Sequence, residues 1–392
     1  MIRKLLVLLL ILGGLTATAQ NMVYSTTRKP MPGDEIAMQQ PGKITNGESP
    51  NYQANSKDKT LLALQTKHTD KMVALVKEAF PNPVGFDISY TRQTVFQPKG
   101  MVYTMTFDFS SYGVVKEISP KQTFVKKLET GEYLVPGGSG PELFFKINDP
   151  NSLFSSGITL DLDGRSAYMT FPVQGKWKGC IAYGSRFFSD EALTGNGVTY
   201  LCISRPGESP FISFTRKEFL QATLNKYDQR YAKDTAEWNK LPNYDQRQLE
   251  EAKRTGKPGN EISKLQTNVR NTQLRAGQGM KRSTDEWQAN KKVILTYMAS
   301  TPADSLALPA LLYSFRDGTD VKEWFNPKKP VQDPMMYVVP NPAYWHNTPD
   351  KTTPQLIVMK MTFSTQHWKD YEIKKQIVAN FPVEKFQALL DK

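Results

Sequence analysis

Thr215-Arg216-Lys217-Glu218-Phe219-Leu220-Gln221-Ala222-Thr223-Leu224 opens the stretch on which the reading of this chain turns. A threonine can accept a hydrogen bond from the first turn of a helix, and a glutamate three residues on can bond back to it, the pattern of a capping box. Beyond it Leu220, Leu224, Tyr227, Tyr231 and Trp238 recur at steps of four, three, four and seven residues. Those steps hold the five side chains on one stripe of a helix, while the other positions are mostly charged or amide residues. A long helical unit is therefore expected over residues 215–300. Within it, Pro242 is expected to end or kink the first helix, and Gly256-Lys257-Pro258-Gly259 to break the unit. Ile262, Leu265 and Val269 mark a further helix, and Ser283-Thr284-Asp285-Glu286 repeats the capping pattern before a last one over 287–298.

Upstream of the helices the period is two. Residues 101–109 alternate apolar and polar side chains as a half-buried strand does, and further strands are expected over 86–96, 143–147, 157–162, 167–173, 179–188 and 198–204. Asp163-Gly164 and Gly195-Asn196-Gly197 read as turns between them. A helix over 56–80 precedes this region, with His68 on its apolar stripe and Pro81 after its end. After the helical unit come seven prolines between 327 and 354, then a strand over 355–363 and two helices over 367–380 and 383–390. The fold class is α+β: a mostly antiparallel, β-rich body with a long helical insertion and C-terminal helices. The expected divisions are a signal peptide (1–19), a flexible leader (20–55), a helix plus β-rich region (56–214), the helical insertion (215–300) and a closing region (301–392).

The N-terminus sets the expected compartment. Arg3 and Lys4 precede the apolar run 5–12, followed by Ala17-Thr18-Ala19. A basic start, a short apolar run and an A-x-A site form a secretory signal, and the run is shorter than the ~20 residues that span a bilayer. Cleavage is expected after Ala19, giving an exported chain, periplasmic or extracellular, with no transmembrane segment. Its loss takes the net charge from +12 to +10, because residues 1–20 hold Arg3 and Lys4 and no acid. No run of Lys and Arg exceeds two residues, so nucleic acid is not an expected partner; cell-envelope polysaccharide or protein is.

Candidate chemistry is sparse. Cys180 and Cys202 are the only cysteines. If 179–188 and 198–204 pair as an antiparallel hairpin turning near Glu191, the two face each other. In an oxidising compartment such a pair joins, so a disulfide is expected, with two buried thiols as the alternative. The three histidines, His68, His346 and His367, lie far apart, and neither H-x-x-x-H nor C-x-x-C occurs, so no metal or cofactor is expected. Asp161-Leu162-Asp163-Gly164 resembles the start of a calcium loop but lacks its later ligands, which leaves a β-turn. Tyr344, Trp345 and His346 fall in an irregular loop, where their rings would suit a sugar or a protein groove, or would fasten the loop to the body.

The order Asn341-Pro342-Ala343-Tyr344, the run Pro354-Gln355-Leu356-Ile357-Val358 and Thr215-Arg216-Lys217-Glu218-Phe219-Leu220 resemble stretches of uncharacterised exported bacterial proteins. The resemblance spans some thirty residues and implies no activity. Two function classes follow from the sequence. One is an exported, non-catalytic envelope protein that binds an anionic or carbohydrate polymer or another envelope protein. The other is a secreted hydrolase of such polymers, its acid–base pair assembled only by the fold.

Overall fold

The computed structural model describes residues 29–30, 33–47, 59–93, 102–112, 114–116, 123–125, 140–184, 196–313, 319–328, 333–346, 352–364 and 367–392. The signal sequence and Ser56 lie outside the described residues. The class is α+β, as the switch between periods of two and 3.6 requires. The chain divides into two compact units, the first built from residues 1–153, 173–210 and 341–392, the second from 154–172 and 211–340.

The first unit is an eight-stranded sheet in the order β1 (Ile44–Asn46), β2 (Phe86–Gln93), β3 (Tyr103–Ser111), β6 (Glu142–Ile147), β15 (Ile357–Ser364), β11 (Asn196–Ile203), β10 (Cys180–Gly184) and β9 (Val173–Trp177). Only the β1–β2 pair is parallel. A separate two-stranded ribbon joins β4 (Val114–Lys116) to β5 (Thr123–Val125). Alternate residues of the central strands, among them Phe107, Phe145, Met359 and Leu201, form one buried face. Against it pack α2 (Lys59–Ala79), through Met72 and Val76, and α7 (Trp368–Asn380), through Ile373 and Ile377. The short α8 (Val383–Gln387) adds Phe386 to the same core.

A segment of the stretch that reads as a flexible leader is built into this unit. The short α1 (Asp34–Ala37) is followed by β1, whose entry is fixed where the Lys43 amide donates to Asp87 Oδ1 at 2.9 Å. The Tyr112 hydroxyl donates to the Pro41 carbonyl at 2.7 Å. Asp34 is buried and faces the equally buried Lys369 across 3.5 Å, while Lys369 Nζ donates to the Tyr112 carbonyl at 2.7 Å. Burial lowers the Lys369 pKa, and Asp34 opposes that shift.

The expected disulfide does not form: Cys180 and Cys202 are free and buried. The strands do pair antiparallel, but Cys202 stands opposite Ile181, one residue away from the expected register. A slip of one residue moves a side chain to the other face of a sheet. Cys180 therefore lies in the core with Ala182 and Leu201, while Cys202 lies on the opposite face. Burial pushes the Cys180 thiol up to about 11 and raises that of Cys202 further.

The second unit carries the helices. Its sheet runs β12 (Phe211–Ser213), β14 (Met335–Pro340), β8 (Arg165–Thr170) and β7 (Phe154–Leu162), with β13 (Leu311–Leu312) beside β14. Asp163 and Gly164 form the two-residue β7–β8 turn, both at positive φ, as a hairpin turn with matching twist demands. The strand β14 falls among the seven prolines between 327 and 354. Its prolines, Pro334 and Pro340, stand before the strand and at its last residue, where a missing donor costs least.

Two long helices, α3 (Arg216–Arg254) and α4 (Gly259–Ser300), form an antiparallel hairpin. The capping box is present: the Glu218 amide donates to Thr215 Oγ1 at 3.2 Å, and the Thr215 amide donates to Glu218 Oε2 at 2.8 Å. At the foot of the hairpin Phe219, Leu220, Leu224 and Tyr227 of α3, with Ile294 and Tyr297 of α4, join a core with Leu160, Tyr337 and two short helices. Those are α5 (Ala303–Ala307) and α6 (Val321–Phe325), the latter contributing Trp324 and Phe325.

Two expectations within the hairpin are overturned. Helix α3 does not end at Pro242 but runs through it to Arg254. The missing donor costs a hydrogen bond, yet α4 holds α3 on both sides of it, through Trp238 before and Leu249 and Ala252 after. Likewise Ser283-Thr284-Asp285-Glu286 starts nothing and lies in the middle of α4. Thr284 donates back to the Met280 carbonyl at 2.9 Å, Ser283 accepts from Trp238, and Asp285 and Glu286 pair with Lys281 and Arg282 one turn earlier. The motif was occupied by partners already inside a helix.

Candidate functional site

The loop bearing Tyr344, Trp345 and His346 is fastened rather than open. Tyr344 is 1% exposed, and its hydroxyl donates to the Gln355 carbonyl at 2.5 Å. The Arg205 guanidinium lies over the Tyr344 ring at 4.3 Å, donates to its carbonyl at 2.7 Å, and grips Asp391 through Nε at 2.5 Å and Nη2 at 3.0 Å. The hydrogen bond from Arg205 holds the Asp391 carboxyl below its usual range. Gln355 brackets His346 by accepting from its amide at 3.1 Å and donating to its carbonyl at 2.8 Å. Trp345 is half-buried and edge-on to Tyr344, so of these three rings Trp345 and His346 are the ones that reach the surface. Arg205 and Asp391, which hold the loop, carry no signal in the sequence, being 186 residues apart.

The sheet face opposite the first core is a second candidate. Thr91, Thr106, Phe144, Lys360, Tyr200 and Tyr183 stand in one row across six strands. In the next row Ser89, Asp108, Glu142 and Thr362 are neighbours. Two carboxylates thus face each other across β3 and β6, with Cβ atoms ~5 Å apart in such a pair. Burial and then the charge of Glu142 raise the Asp108 pKa.

The hairpin of the second unit offers the third. Where its foot gives way to its outer half, the Tyr231 and Trp287 rings stack at 4.4 Å. Trp287 Nε1 donates to Asp228 Oδ1 at 2.7 Å, and Lys291 donates to the same oxygen at 2.8 Å. One turn on, Trp238 Nε1 donates to Ser283 Oγ at 3.2 Å and its ring lies on Gly279, where a Cβ would come within 2.5 Å of it. Beyond this the buried side chains are Leu249, Ala252, Val269 and Ala276.

A pair of open grooves runs along one side of that outer half. The first, ≈ 450 Å³, is lined by Leu241, Tyr244, Asp245, Thr272 and Arg275 among others. The second, ≈ 520 Å³, runs past Tyr244, Gln248, Ala252, Lys257 and Leu265. Tyr244 stands between them and is 67% exposed, with Leu241 at 43%. A helical spacing of three and four places Leu241, Tyr244 and Gln248 along one line of α3. The line was missed because Pro242 sits inside it and marked, on sequence, a helix end. No protein-family model matches the chain, and no curated protein or solved structure matches it.

Proposed function

We propose that this is an exported, non-catalytic protein that holds another protein of the cell envelope on its helical hairpin. The observation that carries the reading is Tyr244, a large aromatic side chain left exposed between two open grooves on a hairpin with a thin seam. A helix pair that buries so little gains little from propensity and depends on packing, and an exposed apolar line beside such a seam is what a partner covers. The acids along the grooves, Glu237, Asp245, Glu251 and Glu261, would each repel a polymer of uniform negative charge, which favours a protein over an anionic polymer. Export rests on the N-terminal signal pattern.

The test is fractionation of the cells that make it. The chain is expected to stay with envelope material after rupture, and Leu241→Glu with Tyr244→Glu is expected to release it. Equal retention of that variant would refute the reading. The Asp108–Glu142 pair favours a second reading, hydrolysis of an envelope polymer, since neighbouring carboxylates can share acid–base work. Loss of soluble polymer fragments in Asp108→Asn, with folding intact, would decide for it.

A further inference from the structure

The charges beside the two grooves are not evenly satisfied. Every acid along them has a partner within the hairpin. Glu237 pairs with Lys233 at 3.9 Å, Asp245 accepts from Thr272 at 2.5 Å, Glu251 pairs with Arg254 at 2.7 Å, and Glu261 pairs with Lys257 at 3.5 Å. The cations Lys240, Arg247 and Arg275, which line the grooves, have no such partner among the described residues, and all three are accessible. From Ile262 to Thr284 helix α4 carries Lys264, Arg270, Arg275, Lys281 and Arg282 and no acid at all.

We infer that the grooves take an acidic amphipathic helix of the partner, laid along α3 and α4 as a third helix. The inference rests on the reading of the hairpin as a binding platform and names the chemistry of what binds. Leu241, Tyr244 and Leu265 receive the apolar stripe of the incoming helix, in the manner of helix-in-groove recognition. Glutamates or aspartates flanking that stripe meet Lys240 and Arg275 at one groove and Arg247 at the other. A helix suits this surface because it can place each acid opposite a free cation while avoiding the acids already paired. Burial of Tyr244 supplies most of the affinity, and the cations supply orientation and discrimination.

The probe is a synthetic peptide of about three heptads, with leucine at the a and d positions and glutamate at e and g, whose own charges keep it from pairing with itself at neutral pH. It is titrated into the mature full-length chain, with the lysine version of the same peptide as a control. The acidic peptide is expected to bind and gain helix by circular dichroism, and the lysine peptide to bind at least about tenfold more weakly. Tyr244→Ala should weaken the acidic peptide at least about tenfold, a loss of hot-spot size. Lys240→Glu with Arg275→Glu should reverse the preference between the two peptides. All three positions face solvent, and thermal unfolding verifies that the variants fold.

Equal binding of the two peptides, or no response to Tyr244→Ala, overturns the proposal. So does tighter binding to polyglutamate or to vesicles of anionic lipid, which would assign the free cations to an anionic surface. If the Leu241 and Tyr244 variants lose envelope retention while no acidic peptide binds, the hairpin is a platform for a different ligand and only this inference fails.

Discussion

The foot and the outer half of the hairpin are made from the same two helices and are held in different ways. At the foot, α3 turns Phe219, Leu220, Leu224 and Tyr227 into a core shared with strands and with Trp324 and Phe325. In the outer half the described side chains that join the two helices are four small or aliphatic ones, Trp238 lying on Gly279, and Thr272 bonded to Asp245. The sequence stripe fades at the same place: its aromatic members end at Trp238. A helix pair needs a wide apolar stripe only where it must bury itself, so the narrowing marks where structure gives way to surface.

The largest expected effect of that difference comes from one substitution at each end. Leu220→Ala should lower the stability of the second unit by ~2–5 kcal/mol, because Leu220 is fully buried among large neighbours. Leu249→Ala should cost less than about 2 kcal/mol and stay local, since a helix pair with polar flanks can close around the gap. Hydrogen exchange distinguishes them: the second variant should quicken exchange in the outer hairpin while amides near Phe219 keep their protection. Equal loss of protection at both ends would mean the hairpin unfolds as one body.

Acid should move the first unit and the hairpin in opposite directions. Burial raises the Asp370 carboxyl from 3.8 to about 6, against the pull of His367 and Lys369. The folded chain therefore holds that proton more tightly than the unfolded one. Its contribution to stability is full below about pH 4 and is lost as pH rises through about 6, ~3 kcal/mol in all. Asp370→Asn should abolish that slope. Asp228, at the collar of the hairpin, behaves in the reverse sense. Burial alone would raise its pKa, but hydrogen bonds from Lys291 and Trp287 prevail and lower it. Its contribution is present above the ordinary carboxylate range and lost as pH falls through its lower folded value. Denaturant melts read at pH values on either side of each range would show both slopes.

Two glycines give the finest test. Gly279→Ala places a Cβ within 2.5 Å of the Trp238 ring, so it should cost ~1–3 kcal/mol and alter the tryptophan emission. Gly277, two residues earlier, has nothing within 4 Å of such a Cβ. Gly277→Ala should instead stabilise the helix by ~0.5–1 kcal/mol, as removal of a flexible residue from an exposed helix does. Thermal melts of the two variants should shift to opposite sides of the parent.

The sequence made a helical stretch, its cap and its break legible because each rests on local chemistry, but not its pairing as two helices. The threonine at 215, the glutamate at 218 and the glycine at 256, at a φ of 66°, act on their own neighbours. What was hidden depends on partners distant in the chain. Pro242 reads as an end until α4 is seen to hold both sides of it. The second capping pattern reads as a start until Trp238 is seen to occupy Ser283. Cys180 and Cys202 were paired by assuming a register, and a single residue of slip separated them. The Arg205 clamp had no local pattern to betray it, since Arg205, Tyr344 and Asp391 meet only in the folded chain.

That slip of register leaves one strand pair carrying a thiol on each side. Neither thiol ionises readily, because burial holds the Cys180 thiol near 11 and raises Cys202 further. A thiolate is the form that reacts, so both sulfurs are chemically silent while the sheet is closed. The first unit can then fold without an oxidant and keep its shape in the presence of a reductant. Each sulfur also acts as a clock with its own face: a thiol reagent reaches Cys180 when the helices lift from the core, and Cys202 when the opposite face is uncovered. The order in which the two are labelled records which side of the sheet comes apart first.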